Sequence, residues 1–219
     1  NGNDANDGIS PETAVKTLDA AGKRLNAFVN GEATLHIVGT IYESSINFPA
    51  YDGVLTIEGD GSASSLIQTD NGFYINSDTI FKNISVSILV EYKHIGLNGY
   101  DLTFAEDVVK AEGSQKLTIH AGKGNTNMTG DQKIVLQSGT LDQIQAGPYY
   151  ISAGATRTWD GNLSVVIDGA SVSSFKLGDG YAGSDGRFTL NGSVDIQVKS
   201  GSLGTVYAVA GYCDSYDAL

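Results

Sequence analysis

Three windows decide the reading of this chain: Ile134 to Ile144 (IVLQSGTLDQI), Val165 to Phe175 (VVIDGASVSSF) and Ile196 to Val206 (IQVKSGSLGTV). Each begins 31 residues after the one before. Apolar residues coincide at four offsets: Ile134, Val165 and Ile196; Leu136, Ile167 and Val198; Leu141, Val172 and Leu203; Ile144, Phe175 and Val206. Within a window apolar and polar residues alternate, the pattern of a half-buried strand. A small residue (Gly139, Ala170, Gly201) breaks the alternation before Thr140, Ser171 and Ser202, and turns the chain into a second short strand. No window can bury its apolar side alone. Stacked at the ~4.8 Å spacing of paired strands, like residues form internal ladders and the stack becomes the core. Weaker versions precede these windows at 54–59, 79–86, 101–104 and 116–119, with Gly or Asn at the bends. The alternative these strands leave open is a jelly roll or other β-sandwich.

Upstream, residues 1–13 read NGNDANDGISPET, in which five of the first seven are Asn or Asp. This is turn chemistry, since such side chains bond nearby backbone amides. Ser10 and Pro11 then predict a helix start, as N-cap and first helical residue. Ala14, Leu18, Ala21, Leu25 and Phe28 follow as one apolar stripe, and Asn30-Gly31 ends it. A lone amphipathic helix ahead of an all-β chain predicts a cap over the open end of the stack. The division expected is 1–31 for the cap and 32–219 for the coils, as one unit.

The run N-D-A-N-D-G-I-S-P-E-T-A-V-K-T-L, residues 3–18, resembles the opening of secreted bacterial right-handed parallel β-helix proteins of the pectate-lyase-like superfamily. The next strand, Ala33 to Tyr42, fits the same pattern, and Phe81-Lys82-Asn83-Ile84 resembles coils that place Asn in a bend. The resemblance implies an all-β, right-handed parallel β-helix with one N-terminal capping helix. It implies no single activity, because the superfamily includes lyases, hydrolases, epimerases, adhesins and inert scaffolds.

Composition narrows the partners. A net charge of −12 repels phosphate backbones and anionic lipid, so nucleic acid is not expected, and with no segment near the ~18 consecutive apolar residues of a membrane helix, membrane insertion is not expected either. Neutral glycans and cations remain. The single cysteine, Cys213, cannot form an internal disulfide.

The segments between windows (145–162, 176–193, 207–219) leave each coil at the same phase and are expected to stack on one rim. They carry Tyr149, Tyr150, Trp159, Tyr181, Tyr212 and Tyr216 beside Asp160, Asp179, Asp185, Asp214 and Asp217. Aromatic faces with carboxylates suit a carbohydrate. The same aromatics also suit the packing of long loops onto the coil. The oxygen-rich start, Asn3, Asp4, Asn6 and Asp7, offers calcium-type ligands, although side chains bonding their own loop account for it as well. Lyases of the superfamily use acidic calcium ligands plus a basic residue. Arg157 and Arg187, 30 apart in the rim, with Asp160, Asp179 and Asp185, are the catalytic candidates. The Asn-Thr-Asp, Asp-Asp and Gly-His-Gly runs of the hydrolases do not occur. His36 and His120 lie in or beside apolar strands and read as structural.

These features favour a non-enzymatic bacterial surface or secreted module, a scaffold or adhesin meeting an extracellular glycan or a host or cell-surface protein. A polysaccharide lyase or glycoside hydrolase is the second expectation. A stalk segment of a longer surface protein with further domains is the third.

Overall fold

The computed structural model describes residues 2–25, 31–148, 150–178 and 186–207. Among these, the one helix is α1 (Leu18–Leu25). It starts a full two turns later than Ser10-Pro11 predicts. Ser10 instead closes a local turn, its carbonyl taking the Thr13 amide at 3.1 Å and its hydroxyl taking it at 3.3 Å. The cap is Thr17, whose Oγ1 accepts the Ala20 N–H at 3.2 Å. The Asp4 carboxylate, distant in sequence, accepts the Lys16 and Thr17 amides at 2.8 and 2.9 Å. Glu43 accepts the Leu18 amide at 3.1 Å. Leu18 and Leu25 enter the common core. Residues 26–30, with the expected Phe28 and Asn30, lie outside the described residues. Thr17→Ala is expected to cost about 1 kcal/mol, read from the urea midpoint.

The strands run in rungs. The first is β1 (Gly31–Ile37), β2 (Thr40–Glu43) and β3 (Ile46–Asn47); the second β4 (Gly53–Gly59), β5 (Leu66–Thr69) and β6 (Phe73–Tyr74). The third is β7 (Asp78–Lys82), β8 (Ile84–Ile88) and β9 (Ile95–Gly96); the fourth β10 (Leu102–Phe104), β11 (Val108–Lys110) and β12 (Thr118–His120). The fifth adds a strand: β13 (Met128–Thr129), β14 (Gln132–Leu136), β15 (Thr140–Leu141) and β16 (Gln143–Gln145). Then come β17 (Thr156–Asp160) with β18 (Leu163–Lys176), and β19 (Arg187–Leu190) with β20 (Val194–Tyr207).

Every strand pairing among the described residues is parallel, which removes the antiparallel sandwich. The first wall is β1-β4-β7-β10-β14-β18 and the second β2-β5-β8-β11. The long strand β18 passes from the first wall into a third, β16-β12-β9-β6-β3. The chain is thus an all-β, solenoid-like stack of parallel strands. Ile134, Val165 and Ile196 are vertical neighbours, 31 apart, as the repeat predicts. Earlier rungs are shorter. Gly31 pairs with Gly53, Val54 with Asp78 and Thr79 with Leu102, steps of 22, 24 and 23 residues. The added length of the later rungs holds β13, β17 and β19, which form a fourth, three-stranded sheet.

The interior is filled by ladders. Phe81 meets Phe48 edge-on at 5.4 Å between ring centroids and Phe104 at 5.6 Å. Leu55, Thr79, Leu102, Ile134 and Val165 form a neighbouring buried column. At the corner between walls one and two the chain repeatedly turns through a positive φ: Gly39, Asn83, Asp107, Gly139 and Gly201. Asn83 confirms the bend expected from Phe-Lys-Asn-Ile. Asn and Asp reach this conformation at lower cost than other side chains. Gly201 also has no room for a side chain, since a Cβ would lie 2.0 Å from the Ala170 carbonyl of the rung before.

Candidate functional site

The rim expected to bind a ligand is largely the fourth sheet. Met128 pairs with Trp159, and Trp159 with Leu190, so the inter-window segments do stack. Trp159, however, is fully buried, and its indole N–H donates to the Gly130 carbonyl at 2.9 Å. It is a core side chain with no face left for a sugar. Tyr150 is half-buried. Tyr149, Tyr181, Tyr212, Tyr216, Asp179, Asp185, Asp214, Asp217 and Cys213 lie outside the described residues.

Arg157 and Arg187 do not stack. Arg157 pairs with Phe188, while Arg187 pairs with Thr156. The register is 31 and the arginines are 30 apart, so the strand's alternation sends them to opposite sides. Arg157 Nε donates to the Asn125 carbonyl at 2.7 Å and to its Oδ1 at 3.1 Å. Asp160 accepts the Asn191 side-chain amide at 2.7 Å. Beside it runs a polar ladder: Asp131 accepts the Asn162 amide at 2.8 Å, and Asn162 Oδ1 accepts the Ser193 amide at 3.0 Å and hydroxyl at 2.9 Å. Each of these bonds links one rung to the next.

The oxygen-rich start is likewise engaged with its own chain. Asn3 Oδ1 accepts the Ala5 amide at 3.0 Å and Asp7 Oδ1 the Ile9 amide at 3.2 Å. Asn6 donates its side-chain amide to the Ala14 carbonyl at 3.1 Å. The Arg24 guanidinium takes the carbonyls of Asp4 and Asn6, so the positive charge facing this loop comes from the helix. Among the described residues no three His, Cys, Asp or Glu side chains are grouped to hold a metal ion.

Two features went unread in the sequence. The first is a buried imidazole pair on the third wall. His94 and His120 have ring centroids 4.3 Å apart, and Tyr74 meets His94 edge-on at 5.7 Å. Burial, with Lys93 adding to it, pushes His94 down to about 4 against a hydrogen bond to the Tyr92 carbonyl. Burial also drives His120 well below the ordinary range, with His94 and Lys176 adding to it. His36, by contrast, is about half exposed and pairs with Asp60 at 2.8 Å.

The second is the corner between walls two and three. In the second and fourth rungs this corner passes a positive φ on glycine, Gly72 at 95° and Gly113 at 78°. In the third rung the residue at positive φ is Tyr92, at 63°. A bulky side chain there costs roughly 1–2 kcal/mol. The residue is 93% exposed. Tyr42, on the first rung, is 54% exposed and donates its hydroxyl to Asp70 at 2.7 Å. No hydropathy pattern marks Tyr92. Its signal is the backbone angle.

Comparison of the chain with protein-family models, with curated proteins and with solved structures returned no match.

Proposed function

We propose that this chain is a right-handed β-helix of the pectate-lyase-like kind, capped by α1, and that it serves as a secreted or surface-displayed, non-enzymatic scaffold or adhesin contacting carbohydrate. One observation carries the non-enzymatic reading. Among the described catalytic candidates, Arg157 and Asp160 Oδ1 bond the neighbouring rung, and Arg187 falls on the opposite side of the strand from Arg157. A general acid or base must instead reach a substrate proton. The charge of −12 supports a neutral or cationic partner over a polyanion.

The test is incubation of the whole chain with immobilised neutral glycans and matrix proteins, and separately with acidic and neutral polysaccharides in solution. Binding without new reducing ends or unsaturated products is the expected result. Turnover of any polysaccharide would replace this reading with a lyase or hydrolase. Silence on every glycan and protein would remove the adhesin and leave a scaffold.

A further inference from the structure

We propose that the corner between walls two and three, across the first three rungs, is a binding ridge for a neutral polysaccharide, with Tyr92 as its stacking platform and Tyr42–Asp70 as a second contact. The proposal rests on the carbohydrate reading above and gives it a place that the rim does not.

The corner is built by the register. Thr69 and Ile88 are partners, and the Leu89 amide donates to the Thr69 carbonyl at 2.9 Å. Residues 90–93 therefore leave the third rung just past the level of Asp70. They rejoin it where the Phe73 amide meets the His94 carbonyl at 3.1 Å. Tyr42 stands two rungs away, on the order of 10 Å along the stack, in register with Gln68 and Ser87 on the wall-two side of the corner. Val90, 44% exposed, continues the apolar strip.

Three independent features select a sugar. The exposed rings offer flat apolar faces, and aromatic faces stack on the apolar side of a pyranose. Asp70 holds the Tyr42 hydroxyl at 2.7 Å, which orients that ring and leaves a carboxylate oxygen to accept sugar hydroxyls. Glu91 and Lys93 flank Tyr92 and offset each other, so the bias against a polyuronate comes from Asp70 and from the net charge of −12. The backbone adds a further mark. Tyr92 holds a positive φ that disfavours a bulky side chain and gains no burial in exchange, whereas Gly72 in the rung before stacks on His94, where a Cβ would lie 2.3 Å from the carbonyl oxygen. A residue kept only to make the turn would be glycine or asparagine.

The experiment is affinity electrophoresis of the full chain through gels holding β-glucan, mannan, xylan or galactan, with polygalacturonate as the charged control, alongside thermal melting. The unsubstituted chain is expected to be retarded by at least one neutral polymer and not by polygalacturonate. Tyr92→Gly is expected to weaken that retardation about tenfold while the Tm stays at or above its starting value, because glycine relieves the turn. Tyr42→Ala should weaken it as well. Tyr150→Ala, on the rim, should leave it unchanged. Retardation that survives Tyr92→Gly but not Tyr150→Ala overturns the ridge and keeps the carbohydrate reading. No retardation of the unsubstituted chain by any neutral polymer overturns both. Equal retardation by polygalacturonate overturns the charge selection on which the ridge depends.

Discussion

Replacing Phe81 by alanine is expected to lower the unfolding free energy by about 3–5 kcal/mol, among the largest single losses available in this fold. Phe81 is 1% exposed and lies between the rings of Phe48 and Phe104. A truncated side chain leaves a cavity that its neighbours cannot close, because each is fixed by the strand pairing of its own rung. Phe104, for example, stands in register with both Phe81 and Leu136. Phe81→Leu keeps most of the volume and should cost less than about 1.5 kcal/mol. Urea unfolding of both variants checks this. Equal, small losses would mean that the interior column is not packed in this way.

Acid is expected to weaken the fold in a window set by the imidazole pair. His94 is held neutral at about 4 by burial, while the unfolded chain takes up a proton near 6.5. A folded-state value below the unfolded one means that stability is full above pH 6.5 and falls as pH drops toward 4. The span amounts to about 3 kcal/mol for His94, and His120 shifts in the same direction. Tyr74, Lys93 and Lys176 are the groups that face the pair, and neither lysine favours a second positive charge there. Carboxylates act lower. Asp142, despite its burial, is held below its usual range by Lys110 and the Leu117 amide, so its contribution is lost only below about pH 4. Urea midpoints should therefore fall between pH 6.5 and 5 in the parent chain and stay level there in a His94→Gln, His120→Gln double variant. An unchanged slope in the double variant would place the acid sensitivity elsewhere.

The fold was legible where one residue's neighbours repeat. Ile134, Val165 and Ile196 announced their own stacking, because a solenoid writes its register into the sequence as a period. The 22- to 24-residue rungs were less plain. They lack the β13, β17 and β19 strands and so break the 31-residue period. The helix start was misplaced because the capping donors are met by Asp4 and Glu43, which are far from Leu18 in sequence. Ser10-Pro11 offered a better local signal that a tight turn consumed. In the rim, Trp159 read as exposed because its segment looks like a loop, whereas it is a strand whose ring points inward. The arginines, spaced by 30, looked stacked until the register proved to be 31. Tyr92 was invisible for another reason: conformational strain is a property of backbone angles, and a tyrosine between Glu91 and Lys93 carries no sign of it.

The account stands on parallel winding about one axis, and nuclear Overhauser contacts between backbone protons test this most directly. Amide-to-α cross-peaks are predicted between Val165 and its partners Ile134 and Ile196, and between Leu55 and its partners Ala33 and Thr79. Strong α-to-α cross-peaks between strands adjacent in sequence, the mark of antiparallel hairpins, would contradict it.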